Sequence, residues 1–139
     1  MAGKIPLAVS AVLGITAAFL GAFHGYGEVL QGNGVPKEIV INAFGGSDCM
    51  PEGPRNCFPA MTIIPAPFMV SGILSIIVAI VVLVSTVMII MGKWRGIPLL
   101  VSSGVLLLVG GGFLPPILGV IAALVGHRAS KKSVITPAK

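Results

Sequence analysis

The sequence predicts an all-α membrane protein, a four-transmembrane-helix bundle with both termini in the cytoplasm. Hydrophobic residues make up 55% of the chain and charged residues only 9%, and the mean hydropathy is +1.05, far outside the range of soluble globular proteins. Three stretches, 5–23, 61–92 and 96–127, contain no Asp, Glu, Lys or Arg. With 139 residues there is room for one domain, so we treat 1–139 as a single membrane domain.

The first two spans follow from length, because about 20 helical residues cross the hydrocarbon core of a bilayer. Residues 5–24 form span one, which we interpret as a retained transmembrane helix and not as a cleaved secretory signal. Residues 67–91 form span two, and Pro67 fits at its start, where a missing amide donor costs little. Span two is rich in Ile and Val, which predicts a peripheral, lipid-facing position.

The last apolar stretch is too long for one helix, and Gly110–Gly112 with Pro115–Pro116 would break it. We therefore predict span three at 94–109 and span four at 116–128. Both are short, so the GGGFLPP segment between them forms either the turn of a full, tight crossing, which we favour, or a re-entrant hairpin below the outer headgroups.

Basic residues set the orientation. They lie before span three and after span four, and the positive-inside rule places both groups in the cytoplasm. The plasma membrane is the predicted location, with the tail 129–139 on the cytoplasmic side and the loop 25–66 outside. Six residues are expected to anchor the protein at the cytoplasmic interface, the basic ones by contacting anionic lipid headgroups. They are Lys93, Trp94, Arg95, Arg128, Lys131 and Lys132. The net charge of +5 does not indicate nucleic-acid binding, because no aromatic stacking platform accompanies the basic residues.

The external loop holds the only two cysteines, Cys49 and Cys57. Outside the cytoplasm we expect them to form a structural disulfide, since a redox-active pair typically has a two-residue spacing. The β-branched runs Glu38–Phe44 and Ala60–Ile64 could pair as a short antiparallel hairpin. Two strands alone are marginal in water, so this hairpin would rest on the helices or on a partner.

Small residues recur every four positions in spans one and four, a pattern that lets helices approach closely in lipid. We predict that they mediate packing inside the bundle or, alternatively, docking of another subunit. The packing residues are Ser10, Gly14, Ala18, Ala22, Gly119 and Ala123.

His24 and Glu28 are the residues most suggestive of chemistry. Four residues apart, they would share one face of a continued helix and supply half of a metal site. Gly25 and Gly27 are expected to interrupt that helix, which favours a polar helix end with Glu28 bound to loop amides. We predict no catalytic residues and no cofactor, because no triad, phosphate loop or zinc spacing is present. The lack of charges in the middle of the spans argues against a pump.

Two stretches, FHGYGEVLQGNG at 23–34 and LVGGGFLPPILGVIAALVG at 108–126, resemble small, uncharacterised four-span integral membrane proteins of prokaryotes. That resemblance implies the architecture and no activity. The layout is also similar to the claudin-type tetraspans in topology only, since the claudin tryptophan signature is missing from the first loop.

These observations predict a non-enzymatic accessory or scaffold subunit that packs against other membrane proteins or further copies of itself. The alternatives are a small oligomeric channel or transporter, with the GGGFLPP segment lining a path, and a membrane enzyme or metal site at His24 and Glu28.

Overall fold

A computed structural model describes residues 4–34, 40–41, 61–62 and 66–135. Four helices dominate this part of the chain, which confirms the predicted helical class. In chain order the elements are α1 (Lys4–Gln31), β1 (Val40–Ile41), β2 (Met61–Thr62), α2 (Phe68–Ile90), α3 (Ile97–Leu108) and α4 (Leu114–Ile135).

Helix α1 is longer than predicted, and the expected interruption at Gly25 and Gly27 is wrong. The helix continues through both glycines to Gln31. Glycine in a helix costs about 1 kcal/mol relative to alanine. Because Gly25 has no side chain, however, Gly72 of α2 packs directly on the backbone of α1 at Gly25. This long-range contact offsets the local preference, so the helix includes His24 and Glu28.

Helix α2 matches the predicted span two closely and ends in a glycine cap. Gly92 has a φ of 70°, a left-handed conformation that glycine adopts without a steric penalty. The amide of Gly92 donates to the carbonyl of Ile89, and that of Lys93 donates to the carbonyl of Met88. This Schellman pattern satisfies carbonyls that would otherwise lack partners and turns the chain sharply into α3.

The break between α3 and α4 falls where the glycines predict it, but α4 starts earlier and ends later than span four. Pro115, expected in the turn, and Pro116, expected at the start of span four, both lie in the first turn of α4, where amides need no helical partner. At the other end the helix continues to Ile135, so residues 129–135, expected in a tail, are helical.

The two ends of the segment between α1 and α2 are hydrogen-bonded to each other, beside the end of α1 and the start of α2. The amide of Phe68 donates to the carbonyl of Gly34 (3.0 Å), and the amide of Met69 donates to that of Gly32 (2.8 Å). Strands β1 and β2 pair antiparallel, with Val40 opposite Thr62 and Ile41 opposite Met61. Of the predicted hairpin, the structure describes these two residue pairs. The predicted disulfide partners, Cys49 and Cys57, lie outside the described residues.

The four helices pack side by side around one core. Helix α1 lies between α2 and α4, and α3 closes the arrangement by contacting α4 and α2. The buried apolar core is made mostly of small side chains, with a few larger ones at its centre. Its members are Ala17, Ala18, Ala79, Val82, Ile89, Leu99, Leu106, Ala122 and Ala123.

Two of the helices are long and apolar enough to cross a membrane: α1 over Ile5–Gln31 and α2 over Phe68–Ile90. Only 28% of the most apolar window of α1 and 33% of that of α2 are buried within the protein. Helices α3 and α4 contribute shorter apolar segments, Ile97–Leu108 and Leu114–Ala129. With 12 residues, α3 is about 18 Å long.

Candidate functional site

Polar side chains of the described residues lie in the interior between the helices, and large apolar side chains cover the outer surface. Helix α2 shows this most clearly, since its buried face carries four hydroxyl residues while Ile77, Ile80 and Val84 point outward. The outward-facing residues agree with the lipid-facing position expected of span two, but the opposite face of α2 packs against both α1 and α3. The buried polar residues of the described chain are Ser10, Glu28, Ser71, Ser75, Ser85, Thr86, Ser102 and Ser103.

The small residues singled out from the sequence lie in this interior. Ser10 donates a hydrogen bond of 2.7 Å from its hydroxyl to the carbonyl of Ala122 in α4. Gly14 faces Thr86 in α2 so closely that a Cβ on Gly14 would overlap its hydroxyl. Ala18 and Ala123 are buried in the core, and Ala22 packs against it.

Gly119 completes the set, since it lies against Ser103 of α3 with no room for a side chain. Helices of this same chain therefore occupy the small-residue faces of α1 and α4. In the part of the chain that the structure describes, these residues therefore pack within one copy.

The candidate functional site lies where α1 ends beside the start of α2. Glu28 is fully buried, and its Oε2 accepts a hydrogen bond of 2.8 Å from the hydroxyl of Ser71. Its other oxygen, Oε1, lies 3.5 Å from Nε2 of His24, one helical turn earlier. The carboxylate of Glu28 thus lies between an imidazole and a serine hydroxyl and is shielded from solvent.

Close packing of two glycines brings Glu28 and Ser71 together. A Cβ on Gly25 would lie 2.7 Å from the carbonyl oxygen of Gly72, so the two backbones are in contact at this level. Glu28 follows Gly25 by three residues in α1, and Ser71 precedes Gly72 in α2. The contact between the glycines therefore brings the carboxylate and the hydroxyl within hydrogen-bonding reach.

The α3–α4 turn forms the floor of the site. A Cβ on Gly112, whose φ is 77°, would lie 3.2 Å from Nδ1 of His24, so the turn rests against the imidazole ring. The hydroxyl of Ser75 donates to the carbonyl of Val109 at the end of α3 (3.0 Å). Ser75 is seven residues after the start of α2, so the turn is recessed by about 10 Å from that end.

The pairing of Glu28 with His24 and Ser71 corrects the prediction that Glu28 binds loop amides. That prediction assumed a helix end at Gly25, whereas the helix places Glu28 among side chains of α1 and α2. The described residues contain no cluster of three or more His, Cys, Asp or Glu that could hold a metal ion. His24 and Glu28 supply two adjacent donor atoms at most.

Sequence reasoning missed Ser71 and Ser75 as partners of this site. A signal was present, because Ser71, Ser75, Ala79, Val82 and Thr86 recur at helical spacing among larger Ile and Val residues. Such a stripe marks the face of a helix that packs against other helices in lipid.

The opposite end of the protein carries the basic residues. Lys93, Trp94 and Arg95 are exposed in the turn between α2 and α3. Gly96, which follows them, packs on the backbone of α4 at Ala123 and against the Cβ of His127. Just beyond that point on α4 lie the exposed Arg128 and the helical positions Lys131 and Lys132, so both predicted basic groups are at one end.

Comparisons of this chain with models of known protein families, with curated proteins and with solved structures found no match.

Proposed function

We propose that this protein is an integral membrane protein with all four helices embedded in the bilayer. The supporting observation is the outward position of the apolar side chains. A helix from the core of a soluble protein would be mostly buried, whereas two thirds of the most apolar window of α2 faces outward. In water, apolar surface of this extent drives aggregation; in lipid, it is the surface expected of a spanning helix.

The basic end lies in the cytoplasm in this proposal. Lys93 and Arg95 precede α3, and Arg128 lies near the end of α4, so two groups of cations lie on one side of the apolar layer. The positive-inside rule assigns that side to the cytoplasm. The site at His24 and Glu28 then lies near the outer face of the membrane.

The four helices are embedded to different depths. Helix α2 has 23 residues and is about 34 Å long, enough for a hydrocarbon core of about 30 Å. The α3–α4 turn, recessed by about 10 Å, then lies within the outer leaflet. Irregular backbone survives at that depth only where protein shields it, and Ser75 and His24 supply that shielding through their contacts with Val109 and Gly112.

Within the membrane we assign the protein a non-enzymatic role as an accessory or scaffolding subunit. Gly14, Gly21, Gly119 and Gly126 each touch a side chain of a neighbouring helix, so the described helices are closely packed at these four positions. This interior favours a structural role over transport through a single copy. Contacts with other subunits then fall on the outer surface.

The outer face of α1 is the best candidate for such contacts. Phe19, Phe23 and Tyr26 are all exposed there, at 71%, 57% and 56%, and they lie on one side of the helix at spacings of four and three residues. Aromatic residues are enriched at protein interfaces. The outer face of α2, by contrast, presents aliphatic residues such as Ile80, which suit lipid chains.

Site-specific photo-cross-linking in native membranes tests this role. We expect a photoreactive residue at Phe19 to yield one discrete protein adduct, whose mass distinguishes a second copy of the chain from a different subunit. The same residue at Ile80 is the matched control and should react mainly with lipid. If Phe19 and Ile80 both gave lipid adducts alone, the accessory role at this face would be wrong.

A further inference from the structure

Two buried atoms at the outer end of the protein lack a hydrogen-bond partner within the described chain, and they face each other. They are Nε2 of His24 and Oε1 of Glu28, which lie 3.5 Å apart. A buried polar atom without a partner costs free energy. Two such atoms facing each other at this distance form a candidate site for a species bound between them.

The surroundings provide no compensating charge among the described residues. Helix α2 and the α3–α4 turn, which pack against the pair, contain no titratable side chain. On α1 itself, Tyr26 is exposed on the outer face and Lys4 lies at the far end; His127 and Arg128 of α4 lie at the basic end. The charged residues of the segment between α1 and α2 lie outside the described residues.

The number of donor atoms identifies the chemical class of the ligand. A metal ion requires about four ligands in most protein sites, and only two bare atoms face each other here. A proton requires two, one as donor and one as acceptor. We infer that His24 and Glu28 form a proton-binding site, in which one proton taken up from water bridges Nε2 and Oε1.

Charge balance favours the same occupant. With a neutral imidazole the pair carries one negative charge, and an isolated carboxylate buried in an apolar environment is costly. Uptake of one proton makes the pair neutral as a whole, whichever of the two atoms holds it. The proton therefore belongs to the pair and not to either residue alone.

The site links proton binding to the position of the α3–α4 turn. Gly112 packs against the imidazole of His24, and the bridging proton fixes the ring in this position through Glu28 and Ser71. This inference concerns the chain alone and does not depend on the proposed accessory role.

Nuclear magnetic resonance on the full chain in nanodiscs, with ¹⁵N-labelled histidine, tests the inference. The chain has two histidines, so a His127→Asn variant assigns the signal of His24. In wild-type protein we expect the imidazole of His24 to bind its proton at least about tenfold more tightly than in Glu28→Gln, because the glutamine offers no negative charge. Glutamine keeps the size of the side chain and can still accept the hydrogen bond from Ser71.

A second variant guards against misfolding of the first. Glu28→Asp keeps the charge but withdraws it by one methylene group, so its proton affinity at His24 should fall between those of wild type and Glu28→Gln. Equal proton affinity of His24 in wild-type protein, Glu28→Asp and Glu28→Gln would overturn the inference. If the glutamine variant does not fold, equal affinity in wild-type protein and Glu28→Asp would do so. So would stoichiometric binding of added Zn²⁺ that shifts the His24 signal in wild-type protein, because it would show a metal site.

Discussion

Gly25 of α1 and Gly72 of α2 lie so close together that a Cβ atom on Gly72 would overlap the carbonyl oxygen of Gly25. The same Cβ would lie 2.7 Å from the backbone nitrogen of Val29. Both obstacles are backbone atoms, which cannot move aside without shifting a helix. The separation of α1 and α2, and with it the hydrogen bond between Ser71 and Glu28, therefore depends on these two glycines.

Replacing Gly72 by alanine should destabilise the protein by about 1–3 kcal/mol, the usual cost of overpacking. Gly104 in α3 is the matched control, because no atom lies within 4 Å of a Cβ placed there. Gly104→Ala should be neutral or stabilise by up to about 1 kcal/mol through its higher helix propensity. Thermal unfolding in detergent, followed by circular dichroism, measures both; equal effects would contradict the packing described for Gly72.

The hydrogen bond from Ser10 to the carbonyl of Ala122 fastens α1 to α4. Removing it in Ser10→Ala should lower the free energy of unfolding by about 0.5–1.5 kcal/mol. Ser85 serves as the control, since its hydroxyl is equally buried and forms no hydrogen bond within the described chain. Ser85→Ala should change stability by less than about 0.5 kcal/mol or increase it. Denaturant titration of both variants decides, and a larger loss in Ser85→Ala would contradict the assignment.

Local sequence patterns were sufficient to predict much of the fold. Uninterrupted apolar residues located α2 to within one residue at each end, and Gly110–Gly112 marked the break between α3 and α4. These features depend on the chain close by, such as the length of an apolar run or the tolerance of glycine for a left-handed turn. A single sequence contains that information.

The site could be predicted only in part, because its geometry depends on contacts between distant residues. The four-residue spacing of His24 and Glu28 indicated a shared face, but continuation of α1 depends on Gly72, which is 47 positions beyond Gly25 in the chain. Helix propensity alone favours a break at Gly25. Once the helix continues, burial of Glu28 and its bond to Ser71 follow.

Ser71 should contribute more to stability than other buried serines, because it donates the hydrogen bond that the carboxylate of Glu28 accepts. Ser71→Ala would leave a buried carboxylate with less compensation, and we expect a loss of about 1–3 kcal/mol in the free energy of unfolding. Ser102 is the control, since its hydroxyl bonds only the carbonyl of Leu99 in its own helix. Ser102→Ala should cost less than about 0.5 kcal/mol, and equal losses in the two variants would argue against a special role for Ser71.

Accessibility of single cysteines to a membrane-impermeant thiol reagent tests the proposed orientation and the depth of the α3–α4 turn. The positions are Asn33 after α1, Arg95 before α3 and Phe113 in the turn, all exposed on the protein surface. In a background with Cys49 and Cys57 replaced by serine, Asn33→Cys should react in intact cells. Arg95→Cys should react only after the membrane is opened, because its end of the protein faces the cytoplasm.

Phe113→Cys distinguishes a recessed turn from a full crossing. The turn lies about 10 Å below the outer end of α2, so this thiol should contact lipid chains and react slowly both before and after the membrane is opened, because the reactive thiolate does not form there. Reaction of Phe113→Cys in intact cells as fast as that of Asn33→Cys would place the turn in water and favour four complete crossings. Reaction of Arg95→Cys in intact cells would instead reverse the orientation of the whole protein.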